Sequence, residues 1–432
     1  MTTSLKRFDP IGNLRKIYLE FPRRFWIVVG VMFIDRIGGT MLFPFFALYI
    51  TSKFNVGMTE AGIVLGVFSI SSLVGSVIGG ALTDRFGRRK LIIFGLITSA
   101  ISTLTLGSIN QYGLLFPLAV LIGILSDVAG PAHQAMIADI LPADKRQEGF
   151  GILRVVGNMS WIIGPTIAGF VAAIDKTFFT LFVADAIISC FVAYLFYRLI
   201  PETKPQPKEG AKPESMGQTF RGYGQVFRDF AFMAFIAASI IMTTVYIQMY
   251  NSLSVYLRDV HGITPQGYGF LLTSSAITVI LFQFWTTRVI KAKPPFLMMA
   301  LGSLIYMVGF GMFGFVAAFA LFVLAIVIVT IGEMIVMPVS QALAANFAPE
   351  EKRGRYMAVY GLLWQIPATI GPTAAGVILD NYDPNLLWYI GGVMCAVAAL
   401  AFYTLHLRLG AKERFAPEPA EIPAAAAAAA SK

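Results

Sequence analysis

The chain has 432 residues, 57% of them hydrophobic and only 13% charged, with 33 Lys and Arg against 24 Asp and Glu and a formal net charge of +9. A soluble domain carries about a quarter charged residues, so this composition excludes an ordinary water-soluble globule and points to helices that face lipid or one another. The positive excess does not imply a nucleic-acid partner, because Lys and Arg are concentrated in alternate breaks between long apolar runs.

Twelve such runs read as membrane-spanning helices: about 25–51, 60–83, 90–109, 113–139, 149–173, 177–200, 229–257, 266–290, 295–316, 318–345, 355–379 and 385–408, segments 1 to 12 below. The fold class is therefore an all-α membrane protein. The first apolar run is too long for the core of a secretory signal and lacks a small-residue cleavage site. Basic residues gather before segment 1, between segments 2–3, 4–5, 6–7, 8–9 and 10–11, and after segment 12, whereas the alternate loops hold only Lys53, Lys176 and Arg258. By the positive-inside rule both termini lie in the cytoplasm. The domains expected are a cytoplasmic segment 1–24, a six-helix bundle 25–200, a Pro/Lys/Glu/Gly-rich flexible linker 201–228, a second bundle 229–408 and a disordered tail 409–432.

Ionisable residues inside apolar runs are the most informative. Each costs about 2.5–3.5 kcal/mol at the bilayer centre on insertion scales, which implies a partner or a function. Segment 1 carries Asp35 and Arg36, segment 4 Asp127 and segment 10 Glu333, all about 10–13 residues from the basic end of their runs and so at similar depth. Adjacent helical residues point about 100° apart, so Asp35 and Arg36 face different ways. Arg36 is expected to pair across helices, most simply with Asp127, which leaves Asp35 or Glu333 free to titrate. Glu333 has no basic residue in its own segment and is the first choice for a proton site. Asp185 in segment 6 is expected to be structural, Arg154 in segment 5 to snorkel, and His133 to pack.

Between segments 2 and 3, positions 84–90 hold Asp84, Arg85, Arg88, Arg89 and Lys90. Gly79 and Gly80 allow close helix approach there, Gly87 permits a tight turn, and Asp84 is placed to cap the turn that follows or to meet the partial positive end of a helix. Segment 5 has small residues at Ser160, Gly164 and Ala168 with Pro165 among them, and segment 11 repeats this at Gly371, Pro372 and Ala375. Phe45, Phe46 and Tyr49 in segment 1, Tyr246, Gln248 and Tyr250 in segment 7, and Met334 and Met337 in segment 10 offer an adaptable aromatic surface, with ordinary helix packing as the competing reading. Cys190 and Cys395 fall in different halves, and neither a disulfide nor a cysteine-bound metal is expected. No phosphate-binding loop, nucleophile elbow, catalytic triad or metal-ligand set occurs, which argues against an enzyme.

Residues 131–169 match 338–376 without a gap, at an offset of 207. Pro131/Pro338, Gln134/Gln341, Pro142/Pro349, Lys145/Lys352, Arg146/Arg353, Gly164/Gly371, Pro165/Pro372 and Gly169/Gly376 are identical. Charged loop residues are among them, which points to a parallel six-helix repeat about an axis along the membrane normal.

Twelve segments, a central linker and this repeat resemble the major facilitator superfamily, in its drug–proton antiporter branch. Residues 80–92, GALTDRFGRRKLI, are similar to that family's loop signature G-x-L-a-D-r-x-G-r-k-x-x-l, with Thr83 where Ala is usual. The GPTIAG of segment 5 resembles the antiporter signature, with Ala168 in place of one Gly, and IPET after segment 6 is similar to the same branch. Two departures stand out. Residues 113–126 contain no Arg, and FWTTRVIKAKP in the second half keeps only the basic residues of the loop signature.

The resemblance implies a fold in which helices 1, 4, 7 and 10 line a central cavity. It implies that Gly80, Asp84, Arg85, Gly87, Arg88 and Asp139 form a conformational latch, with Asp139 the partner of Arg88, and that Gly164, Pro165, Gly169, Gly371, Pro372 and Gly376 serve packing or gating. It also implies a monomer in the cell membrane, in contact with its lipids, that exports small lipophilic or cationic compounds against entering protons, with the proton gradient as energy source and no cofactor. The alternatives are a dedicated carrier for sugars, amino acids or lysolipids, or a lipid flippase, for which Arg36 and Arg154 could meet headgroups.

Overall fold

The computed structural model describes residues 18–142, 145–175, 177–204, 224–291, 293–349 and 353–410. The expected N-terminal segment, linker and tail therefore lie largely outside the described residues. Twelve helices are long and apolar enough to cross a membrane. They are α1 Arg23–Phe54, α2 Met58–Phe86, α3 Arg88–Ser108, α4 Tyr112–Ile140, α5 Arg146–Ile174, α6 Phe179–Leu199, α7 Phe230–Asn251, α8 Pro265–Lys291, α9 Pro295–Phe313, α10 Phe319–Phe347, α11 Arg353–Asn381 and α12 Leu386–Leu409.

Local chemistry sets their ends. Asn55 in the left-handed region closes α1, Gly87 at φ +95° separates α2 from α3, and Asp229 caps α7 by accepting from the N–H of Phe232 at 3.1 Å. Pro44 turns α1 into a 3-10 helix over Phe43–Phe45. Segment 7 was expected to run to 257. Instead α7 stops at Asn251, Ser252 donates to the Gln248 side chain at 2.7 Å, and Leu253–His261 forms a separate short helix.

Within the first half α1 packs on α5 and α6, α2 on α4, and α3 on α6; within the second, α9 packs on α10 and α12, and α7 on α11 and α12. The halves meet along two seams, α2 with α11 and α5 with α8. Both seams are lined by residues without bulk: a Cβ on Gly62 would lie 2.5 Å from the carbonyl of Pro372, and one on Gly169 3.0 Å from the Cα of Gly269. Hydroxyls join them. Thr166 bonds Thr273 at 2.8 Å, and Ser69 donates to Gln365 and accepts from Thr369, each at 3.3 Å.

One face of the bundle carries Arg23, Arg88, Lys145, Arg288 and Arg408, and is called the basic face below. Toward the opposite face a single apolar core crosses between the halves, joining Phe45 and Leu65 to Tyr268 and Ala375. At the basic face the first half has a core of its own around Phe25, Ile92, Met136 and Phe196. At that end Gly80, Gly151 and Gly361 face open space. The halves are thus closed at the opposite face and parted at the basic face.

Candidate functional site

A cavity of about 570 Å³ lies between the halves where the seams give out, within the range of small-molecule sites. Its first-half wall is Phe43 of α1 with Asn158 and Trp161 of α5; the second half contributes Tyr246, Tyr250, Gln283, Glu333, Met337 and Trp364. Glu333 and Met337 are one helical turn apart, as are Tyr246 and Tyr250, so each pair shares a face. The two tyrosine hydroxyls lie 3.2 Å apart, and the Trp161 and Tyr250 rings meet across the halves at 4.8 Å. Tyr246 sits beside the Glu333 carboxyl, with Tyr250 and Tyr306 facing it. Among the described residues Glu333 forms no ion pair.

Pro338 shapes this wall. Proline has no N–H to give to the carbonyl four residues back, so Met334 loses its helical partner. Gln283 of α8 reaches that carbonyl at 3.3 Å and ties α8 to α10 beside Glu333.

Five residues expected on the cavity surface do not line it. Phe45 is 1% exposed and packs edge-on against Tyr268 in the core that crosses the halves. Tyr49 is buried in the first half, donating to the carbonyl of Leu106 and packing on Phe182. Met334 is 1% exposed because it points about 100° away from Glu333. Phe46 stacks on Tyr49, and Gln248 is buried against Thr244 and Ser252.

The expected Arg36–Asp127 pair does not form. Arg36 lies against α5, its Nη1 2.8 Å from where a Cβ on Gly157 would be, and faces His133 of α4. Asp127 is turned to α2, beside Ser72 and Ser76. The cause is the α2–α4 contact, where Gly75 and Gly79 lie on the backbone of Ile124 and Val128 and fix the rotation of α4. Asp35 faces Asp185, which is 6% exposed and accepts from Thr103 at 2.9 Å. Gly38 makes room for that carboxylate, whose Oδ1 is 2.5 Å from the Cβ position. Asp185 is therefore one of two facing acids and not an isolated scaffold residue. Of the four intramembrane charges expected in one cavity, Glu333 alone lines it. His133 packs edge-on against Phe196. The side chain of Arg154 lies outside the described residues.

At the basic face Arg88 pairs with Asp139, Nε to Oδ2, at 2.9 Å. Thr203 donates to the same oxygen at 3.4 Å, and Lys204 donates to the carbonyl of Arg85 at 3.1 Å. The side chain of Asp84 lies outside the described residues. The N-terminus of α3 is capped by Glu202, which accepts from the N–H groups of Arg88 at 2.8 Å and Arg89 at 3.2 Å. Sequence reasoning gave Glu202 no such role; the exposed N–H groups opening α3 are the signal that an acceptor is needed. Gly79 packs on Val128 as expected for a close approach, whereas Gly80 touches nothing.

The repeated glycines divide by role. Gly164 seats on Thr40 of α1, and Gly371 on Gln248 of α7, each within its own half. Gly169 and Gly376 lie on the two seams, against Gly269 of α8 and the backbone of Met58 in α2. The 207-residue offset thus relates contacts as well as letters. Pro165 and Pro372 bring their carbonyls to the same seams, near Gly269 and Gly62.

The family model of the Major Facilitator Superfamily matches residues 28–336 and 248–430. The chain is 28% identical to the "Na(+), Li(+), K(+)/H(+) antiporter" of Planococcus maritimus, covering 77% of this chain and 84% of that protein. It is 22% identical to the "Quinolone resistance protein NorA" of Staphylococcus aureus, covering 91% and 99%. A crystal structure of a POT family transporter in complex with 5-aminolevulinic acid has the same fold, with a TM-score of 0.76 over 90% of this chain and 96% of that one at 17% identity. The multi-pass bundle, its internal repeat and the cavity between its halves agree with this family of transporters. The chain belongs to the Major Facilitator Superfamily.

Proposed function

We propose that the chain is a proton-coupled exporter of lipophilic, often cationic compounds, working by alternating access in the cell membrane with both termini in the cytoplasm. The observation that carries this reading is Glu333: a carboxylate without an ion-pair partner among the described residues, set in an aromatic wall of a cavity of about 570 Å³ between the halves. An acid there attracts a cation, and Tyr246, Tyr250, Trp161 and Trp364 supply π faces for it. Met337 adds surface that adapts to ligand shape.

Cation and proton compete for the same carboxylate. With the cavity open to the cytoplasmic, basic face, ionised Glu333 takes a cation. After the halves exchange openings, a proton entering from outside neutralises the carboxylate and the cation leaves. The relatives described as a cation–proton antiporter and as a quinolone resistance protein support this class of transport. The contacts of Arg88, Asp139 and Glu202 support a latch at the basic face.

The test is reconstitution in liposomes under an imposed pH gradient, following a fluorescent lipophilic cation in wild type and Glu333→Gln. Gradient-driven movement that falls at least tenfold in the variant is the expected result; a change of that size corresponds to about 1.4 kcal/mol. Movement retained in Glu333→Gln would shift the proton site to the Asp35–Asp185 pair or to Asp127. No movement of any cation by folded wild-type protein would favour a dedicated carrier for sugars, amino acids or lipids.

A further inference from the structure

On the face opposite the basic one, the halves are held by side chains that neither the cavity nor the Arg88–Asp139 cluster uses. Asp380 lies at the end of α11. Its Oδ1 accepts from the N–H of Met58 at 2.9 Å and its Oδ2 from the N–H of Thr59 at 2.6 Å. These are the first two N–H groups of α2, in the other half of the molecule. The N-cap residue of α2 is Gly57, which has no side chain to offer, and no side chain of its own segment caps the helix. Gly57 also makes room: a Cβ there would lie 2.5 Å from Oδ2 of Asp380. One turn before Asp380, Gly376 rests on the backbone of Met58.

A second brace reaches the end of α1, just before Gly57 in the chain. Arg258, in the short helix after α7, donates through Nη1 to Ser52 at 2.6 Å and Thr51 at 3.0 Å, at the end of α1. Among the described residues the Lys and Arg of this face are Lys53 and Arg258, so a cation here that bonds the other half is not explained by topology.

The first N–H groups of a helix lack intrahelical partners and carry a partial positive charge. A carboxylate that accepts two of them makes charge-assisted bonds. When the halves separate at this face, those bonds break and the N–H groups of Met58 and Thr59 lose the acceptor that the other half supplies. We propose that Asp380 is a gating residue: its carboxylate caps α2 across the two halves and, with the Arg258 brace, holds the opposite face shut while the cavity is open to the basic face. This goes beyond the substrate reading and does not depend on it.

The test needs no substrate. Spin labels are placed on exposed residues of the opposite face, one per half, as Gln111→Cys and Phe315→Cys, with the exposed Cys190 replaced by Ser. Distances are measured by pulsed electron resonance in lipid nanodiscs, and melting is followed in parallel. Asp380→Ala should add a longer distance, raising the ratio of the open to the closed population about tenfold, the equivalent of one charge-assisted hydrogen bond. Asp380→Asn, which keeps the volume and one acceptor, should shift the ratio less, and serves if the alanine variant does not fold. Thr105→Ala, exposed on α3 and bonded to the carbonyl of Ile101 in its own helix, should leave the ratio unchanged. An unchanged distribution in a folded Asp380 variant overturns the proposal. A lower melting temperature with unchanged distances overturns it too, since that is what a merely structural cap would give.

Discussion

Arg88 and Asp139 face each other with side-chain exposures of only 10% and 16%. An ion pair so enclosed gains little over an apolar pair, but removing one member leaves the other charge poorly solvated. Asp139→Asn should therefore lower the unfolding free energy by about 2 kcal/mol. Adding Arg88→Gln should cost less than the sum of the two single changes, a coupling readable from melting curves of the four proteins. Additive losses would mean that the pair is incidental. Asp175, in the turn before α6, makes a prediction about pH. Burial pushes its carboxyl up, but hydrogen bonds from Thr177 and Thr180 outweigh this and hold it at about 2. A carboxyl whose folded value lies below its unfolded value stabilises the fold at neutral pH, and that stability is lost as pH falls from about 4 through 2. The protection factors of the Thr177 and Thr180 amides, taken relative to the intrinsic exchange rate at each pH, should fall over that window in wild type and lose this pH dependence in Asp175→Asn.

At the scale of elements, the repeated glycines separate folding from movement. Gly164 is enclosed by α1 within one half, whereas Gly169 touches only the α8 seam. Gly164→Val should overpack the first half and cost about 1–3 kcal/mol of stability. Gly169→Val should leave melting nearly unchanged while slowing transport, because it obstructs a contact that forms and breaks. Equal melting losses in both variants would refute that division. The helices themselves were legible in the sequence, since a bilayer demands long apolar runs and the positions of charge mark their ends. Glu333, Tyr246 and Tyr250 do meet at one cavity. Rotation about the helix axis was not legible. Pro44 tightens α1 into a 3-10 turn that brings Phe43, and not Phe45, to the cavity. The glycines of α2 turn Asp127 away from Arg36. The Glu202 cap joins positions 114 residues apart, for which periodicity gives no signal.

For the whole molecule, the proposed alternating access would have the two halves rock about the cavity. The crossing core, the seam hydroxyls and the Asp380 and Arg258 bonds lie from the cavity to the opposite face, while the basic-face ends stand apart. Transport then requires the α2–α11 seam to open. Ser69 and Thr369 meet across that seam with their hydroxyl oxygens 3.3 Å apart. Cysteines at both positions would bring two thiols face to face across the seam, where side-chain rotation can close the gap to the 2.05 Å bond length. Cys190 is exposed and would be replaced by Ser, whereas Cys395 is buried in the second half and stays. Oxidation of Ser69→Cys/Thr369→Cys should form the bridge readily, because this is the closed seam of the structure, and should abolish transport. A reductant should restore it. Transport that continues with the bridge formed would show that the halves do not part at this seam, and the rocking description would fail at its main hinge line.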